Sequence, residues 1–554
     1  MDLNKRNLRL GVGLILTAIS VACSAGDLAG DSDSPSPGSG TGGGSNGAGS
    51  GSQPGSDSGL DIGDGDGATT SNNGAGGSSQ TTGNLPDEDL LPEEVEEVED
   101  YRIPVATGRY LWSTNPTSGR VALIDAVSLS VEVLSAGLQP TYLASIPEND
   151  ERPTAVVINS GSSDVTRFVV NKGKVKQDTV SIHPGANRWA TSAHWAVAWS
   201  ASESDAQLDP TEGLQEITIL SLGNDSMKAK RLAVGYRPRL VQISGDERHL
   251  SVVSAEGVAV VKLDDDPRSD VWIDLGFDAE VLDVSLSADG NYALVRKADT
   301  NTVDIINLND PTDVAQLTFP GPVTDVDLSQ SGRAVVVIRE TRQVATFLLS
   351  EVLDDATKID IVKLNDQVFG SAVVADDGSV AVVYTNVVDN DVINIINLER
   401  GDDYLSYRQL STQSPIYSIV AAHGGAHAIV LAGDGAGSKT KAFSIISLKE
   451  ARFPRVVGTD ATVQQVAIAD DFAIVTSSAP GSSAFEAHTV LLPELSVNTV
   501  KLASQPLSVG ALPDFSMGYV AQAHAEGRVT FIDFDKNNVS TLTGFELSAE
   551  VVDE

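Results

Sequence analysis

Histidine is the side chain most often used for proton transfer and metal ligation near neutral pH, and the sequence holds seven. His423 and His427 are four apart in the string AHGGAH. On a helix that spacing holds zinc, as in H-E-x-x-H. No glutamate follows His423 and a Gly-Gly pair separates the two, so a turn leading into a strand is expected instead. His183, His194, His249, His488 and His524 are scattered along the chain. A G-x-S-x-G string occurs at Gly43–Gly47 around Ser45, in a Gly/Ser-rich stretch that cannot build the strained strand-to-helix turn of a nucleophile elbow. The lone cysteine, Cys23, lies at the amino end, which argues against thiol catalysis, and no G-x-x-x-x-G-K-[ST] loop for a nucleotide occurs. Asp264–Asp266 and Asp402–Asp403 read as solvated turns. Asp61, Asp64 and Asp66 lack the spacing and the closing glutamate of an EF-hand loop. No catalytic, cofactor or metal residue is therefore assigned. Trp189, Trp195 and Trp199 hold three of the five tryptophans. They form the candidate binding patch, because tryptophan is enriched at interaction hot spots, with packing between sheets as the competing reading.

The elements that would position these residues are strands. From Tyr101 on, short β-branched runs alternate with polar turns every 8–12 residues or so, the pattern of an all-β protein. The strands recur as a set of four with a period of roughly 41–50 residues, which predicts a β-propeller of four-stranded blades. One marker is the run Thr302–Leu308 (TVDIINL), repeated at Val392–Leu398 (VINIINL) and Phe443–Leu448 (FSIISL). A second is a strand, a polar turn and a new strand: Val284–Gly290 (VSLSADG) before Tyr292, Val326–Gly332 (VDLSQSG) before Ala334, and Val373–Gly378 (VVADDG) before Val380. Asp-Gly supplies the positive φ that a tight turn needs. On these markers the stretch 101–554 resembles the YVTN and WD40-like propeller repeat proteins. Ten units start near residues 108, 154, 196, 249, 291, 333, 379, 427, 472 and 517. Ten exceeds the usual four to eight blades, so one large ring and two smaller ones both stay open. The last unit is one strand short, and the segment Tyr101–Ala106 is expected to supply the missing strand. Ala201–Gly213 reads as a loop insertion.

The first 22 residues read as an export signal: Lys5, Arg6 and Arg9, then the largely apolar run Leu10–Ile19, then Ser20-Val21-Ala22 before Cys23. Ten helical residues span about 15 Å, half a bilayer core, too short for a permanent span. The string Ser20-Val21-Ala22-Cys23 resembles the lipobox of bacterial lipoproteins. That resemblance implies a diacylglycerol thioether on Cys23 and an acylated amino terminus, with palmitate-type chains holding the protein at the membrane. Ser20 stands where the family usually has leucine. Ordinary signal peptidase would accept the same small residues, so secretion with a free Cys23 is the alternative. Ser24, rather than an aspartate, follows the cysteine, which in lipoproteins resembles outer-membrane sorting. Residues 24–100 contain sixteen acidic residues and no Lys or Arg, and are dominated by Gly, Ser, Asp and Thr. Such a stretch buries too little apolar surface to fold and is expected to be a disordered linker. Its reach is about 45–50 Å r.m.s..

The formal charge of −39 over 554 residues argues against a nucleic-acid partner, which needs a basic face. The expectation is a noncatalytic propeller scaffold of the bacterial cell envelope, lipid-anchored at Cys23, that binds an envelope protein or a glycan. The propeller resemblance also implies two alternatives. One is an enzyme of lactonase-like or quinone-dependent type, which would converge ionisable residues at one mouth of the ring. The other is a surface adhesion protein.

Overall fold

A computed structural model describes residues 103–545, apart from the interior segments 148–151, 202–214, 224–225, 255–256, 275–280, 298, 311, 366–368, 387, 435–437 and 480–483. The export signal, Cys23, the linker and all but the first residue of the expected insertion lie outside the described residues.

The described chain forms ten four-stranded antiparallel sheets, each a simple meander. These blades span residues 105–135, 140–181, 188–233, 240–274, 281–318, 325–363, 371–411, 416–458, 463–501 and 506–543, and are numbered 1 to 10 here. First strands touch first strands from blade to blade, for example in blades 1 and 2, 2 and 3, 6 and 7, and 9 and 10. They therefore line the axis. Second and third strands are buried nearly end to end, as in Arg333–Ile338 and Phe472–Ser478, while fourth strands such as Lys174–Ser181 are largely exposed.

The unbroken apolar runs of the second strands follow from packing on both faces. Side chains alternate across a sheet. In blade 6, Ala334, Val336 and Ile338 pack toward blade 5, while Val335 and Val337 pack toward blade 7. Each apolar cluster is drawn from two neighbouring blades, and there are ten clusters for ten blades. An open row of ten sheets has nine junctions, so the tenth closes one ring. It joins Leu111, Ile124 and Ala126 of blade 1 to Met517, Tyr519 and Phe531 of blade 10. At the same seam the Tyr519 hydroxyl donates to the Pro104 carbonyl at 3.5 Å.

The closing strand differs from the expectation. Blade 10 has four strands of its own, and Val105–Thr107 pairs with Tyr110–Trp112 as the first strand of blade 1. Counting from the most apolar run places each unit's start on a second strand, for example Thr154–Asn159 or Met517–Gln522, and that offset makes the last unit look short. The run Thr302–Asn307 is accordingly a third strand.

The polar turn between first and second strands is built by side chains. Ser287 Oγ donates to Asp289 Oδ1 (2.6 Å) and accepts from the Tyr292 N–H (2.9 Å), while Gly290 takes φ +69°. Ser244 and Asp246 repeat the arrangement in blade 4. Strand direction alternates, so these turns and the turns between third and fourth strands share one face of the ring. That face is called the turn face below. In blade 6 the short helix Leu349–Asp354 replaces the second of those turns.

Candidate functional site

First strands have one hydrogen-bonding edge with no strand beside it, and an open edge must be covered. Neighbouring side chains do this. Trp189 Nε1 donates to the Tyr142 carbonyl and Thr191 Oγ1 to the Ser145 carbonyl, both at 3.0 Å, joining blade 3 to blade 2. Gln465 Nε2 donates to the Leu507 carbonyl at 3.0 Å, joining blade 9 to blade 10. Between blades 6 and 7 the caps are carboxylates. Asp325 and Asp327, two apart on one strand face, accept the N–H groups of Ala372 and Val374, each at 2.7 Å. Burial pushes Asp327 up to about 6; the Val374 N–H opposes this, and Asp325 and Asp376 add to it. Asp325 is raised too, by burial, with Arg296 pulling the other way. Tyr384, close enough to feel both charges, is pushed up to about 12, mainly by burial. Several polar side chains at the axis are thus engaged in joining blades.

The tryptophans expected to form one patch sit in two different junctions. In blade 3 Trp189 pairs across the ladder with Ala198. It therefore shares a sheet face with Ala196 and Ala198 and packs toward blade 2. Trp195 and Trp199, at odd steps from Ala198, point to the other face and pack toward blade 4. Trp199 is buried and the other two are half-buried.

The histidines are likewise spread over several blades. His423 lies in a turn, with Nδ1 at 2.5 Å from Asp376 Oδ2 of the preceding blade. His427 opens the second strand of blade 8, where burial lowers its pKa. His183 is fully buried between Thr218 Oγ1 (2.8 Å) and Ser200 Oγ (3.3 Å). Burial, with Arg231 adding, holds its pKa down at about 4. Among the described residues no three His, Cys, Asp or Glu side chains gather as a metal site.

A cleft of about 320 Å³ opens on the turn face between blades 7 and 8. Its size is that of a small-molecule site. Arg408, from the fourth strand of blade 7, crosses the junction to the carbonyls of Ser447 and Leu448 (3.2 Å for the latter). Its Nη1 is covered from solvent and has no hydrogen-bond partner. Burial lowers its pKa, and no acid among the described residues offsets this. Opposite lies Lys449, 3.2 Å from Asp377 and 4.0 Å from Glu399. Glu399, Asp403, Ser406 and the Tyr407 ring complete the polar wall. Tyr407 is held from the far side, where its hydroxyl accepts the Asn365 N–H at 3.2 Å.

Two residues beyond Ala451 of the cleft lining, and outside that lining, comes Phe453, 92 % exposed in the turn between the third and fourth strands of blade 8. Its turn is tied down: Arg452 Nη1 donates to the Pro493 carbonyl of blade 9 at 2.9 Å, and its Nε pairs with Glu450 at 2.5 Å. The sequence offered little notice of this site. Phe453 is a lone aromatic in a polar turn, and Arg408 stands in an ordinary outer strand.

The fold and the clefts between its sheets define a ten-bladed β-propeller. Among solved structures it is similar to a eukaryotic initiation factor (11% identity over 69% of this chain and 98% of that one, TM-score 0.46). It is also similar to the dihydro-heme d1 dehydrogenase NirN in complex with DHE (14%, 63% and 73%, 0.41) and to hydrazine synthase of Kuenenia stuttgartiensis (13%, 55% and 95%, 0.32). Likenesses at this identity concern the fold alone. No known family and no curated protein matches the sequence.

Proposed function

We propose that the protein is a noncatalytic binding scaffold of the bacterial cell envelope, anchored through acyl chains on Cys23, whose propeller engages an envelope protein or a glycan. The observation that supports this most is Phe453. A large aromatic ring held 92 % exposed on the turn face, by a turn tied to the next blade, offers a partner an apolar side chain to cover. The axis fits the same reading, since its carboxylate pair is bonded to neighbouring backbone. Among the described residues no helix is long and apolar enough to cross a membrane. The lipobox-like string Ser20-Val21-Ala22-Cys23 supports attachment through acyl chains, and Ser24 favours the outer membrane. The acidic Gly/Ser-rich stretch 24–100 gives the scaffold its reach.

Fractionation of Cys23→Ala cells tests the anchor: the variant should move from the membrane to the soluble envelope fraction. Retention in the membrane would refute acyl attachment. Capture from solubilised envelope with the soluble variant tests the scaffold. A single protein or glycan should be retained by the wild-type surface and lost with Phe453→Ala. Capture unchanged by that substitution would remove the turn face from the proposal.

A further inference from the structure

The outer strands of blades 2 and 3 break the charge pattern of the chain. The formal charge is −39, with 76 acidic residues against 37 Lys and Arg. Lys174 and Lys176 nonetheless stand on the fourth strand of blade 2, Lys174–Ser181, and Lys228, Lys230 and Arg231 on that of blade 3, Met227–Ala233. Lys172 lies in the turn that leads into the first of these strands. The fourth strands of the other eight blades carry at most one Lys or Arg each. Lysine on an open edge discourages stray pairing. That need is common to all ten blades, so it does not explain a concentration on two neighbours.

Register puts these lysines on one side. Lys174 and Lys176 lie opposite Asn171 and Val169, and so share the sheet face of Val165, which packs toward blade 3. Lys228 and Lys230 lie opposite Ser221 and Ile219, on the face that packs toward blade 4. Both pairs therefore occupy the same face of successive blades. Lys172, Lys174 and Lys228 sit at the turn-face ends of their strands, and the two outer strands touch. All five lysines are exposed. Lys230 pairs with Asp266 at 2.7 Å, while Asp178, the one acid on the outer strand of blade 2, is taken by Arg167 at 2.8 Å. Among the described residues no ion pair engages Lys172, Lys174 or Lys228.

Lysine carries a compact, hydrated charge on a flexible stem, which suits diffuse attraction, whereas the fork of arginine suits one fixed carboxylate or phosphate. Exposed lysines spread over two blades thus fit an extended anionic surface better than a single anion. We propose that this turn-face sector of blades 2 and 3 docks on anionic lipid headgroups. The inference rests on the acyl-anchor reading, which brings the body to a membrane, and adds a second contact to the lipid chains. The same headgroups repel the acidic remainder of the body, so the sector sets which side turns toward them. Blade 8 stands five blades on, across a ring of ten, and docking leaves Phe453 clear for a partner.

The test is flotation of the full chain carrying Cys23→Ala with vesicles of phosphatidylcholine, with and without about one third phosphatidylglycerol. The chain should float with the anionic vesicles at low salt, be released at high salt, and ignore pure phosphatidylcholine. Each lysine near such a surface is worth about fivefold in binding, so Lys172→Gln, Lys174→Gln and Lys228→Gln together should cost roughly a hundredfold. Lys363→Gln with Lys501→Gln, exposed lysines on the outer strands of blades 6 and 9, should leave binding unchanged. All five positions are exposed, so thermal unfolding should be the same for both sets. The proposal is overturned if anionic vesicles are not bound at low salt, if the triple variant binds like the parent, or if the control pair costs as much. Polyglutamate beads that retain the chain through the same three lysines while vesicles do not would also overturn it, in favour of an acidic protein. The anchor reading is tested apart from this one. A high-salt wash strips electrostatic docking and leaves acyl chains inserted, so wild-type chain that stays in washed cell membranes while the Cys23→Ala form does not upholds the anchor whatever the vesicles show.

Discussion

Replacing Asp327 with asparagine tests whether the carboxylate caps at the axis carry a latent electrostatic cost. Asp327 accepts the Val374 N–H at 2.7 Å while half-buried beside Asp325, with Asp376 also near, Arg296 acting on Asp325, and Tyr384 above the pair. Its pKa is raised from 3.8 to about 6. A carboxyl with a raised folded-state pKa binds protons more tightly in the folded chain than in the unfolded one. Its stabilising contribution is therefore complete below about pH 4 and is lost as pH rises through about 6. Two pKa units correspond to roughly 3 kcal/mol. For a body of about 440 residues the unfolding entropy is near 0.9 kcal/mol/K, so this becomes a Tm difference of about 3 °C. Asparagine keeps an oxygen for the Val374 N–H and removes the charge, along with its repulsion on Asp325, so the comparison reports the pair. Scanning calorimetry should show the wild type and Asp327→Asn diverging between pH 4 and pH 7, with the variant the more stable at pH 7. Asp327→Ala, which leaves the Val374 N–H bare, should be less stable than Asp327→Asn by about 1–3 kcal/mol at every pH. Parallel profiles for wild type and Asp327→Asn would refute the claim that the pair is held against its charge.

His183 should show the opposite sign. Its pKa is lowered to about 4, so its contribution is present above about pH 6.5 and lost as pH falls toward 4; an imidazole signal in NMR titrating above pH 5 would contradict its burial between Thr218 and Ser200. In blade 1, on the side that packs against blade 2, Thr107 Oγ1 accepts from the buried Trp112 Nε1 at 2.7 Å. Thr107→Val should leave that N–H without a partner and cost about 1–3 kcal/mol, measured by thermal unfolding, and an unchanged Tm would show that the indole finds another acceptor.

The repeat was legible because its second and third strands are covered on both faces. Ala334–Ile338 reads as an apolar run since alternate residues serve two junctions. The phase of the repeat was not legible. First strands such as Arg188–Thr191 and Asp325–Leu328 are short and polar. Several of their side chains cap a neighbouring blade's edge, and only the partner strand reveals that. The tryptophans mislead as a sequence cluster for a related reason. Neighbours in a hairpin take opposite sheet faces according to register, and the pairing of Trp189 with Ala198 sets that register. The cleft beside Phe453 escaped notice because it is assembled from turns and outer strands of two blades.

The seam between blade 10 and blade 1 has a consequence for how the chain is made. Tyr519 and Pro104 meet across 415 residues, whereas each blade closes on partners within one repeat. Closing a loop some tenfold longer adds only about 2 kcal/mol of chain entropy, because the cost grows with the logarithm of length. The greater burden is time. A polypeptide emerges amino end first, so the flank of blade 1 bearing Leu111 and Ile124 is finished early and stays bare until Met517, Tyr519 and Phe531 arrive. Until they do, the arc presents a greasy flank at its first-formed end, open to any sheet of similar shape. A second copy of the chain at the same stage carries one, and cross-chain pairing at that flank is the misassembly to which this ring is most exposed.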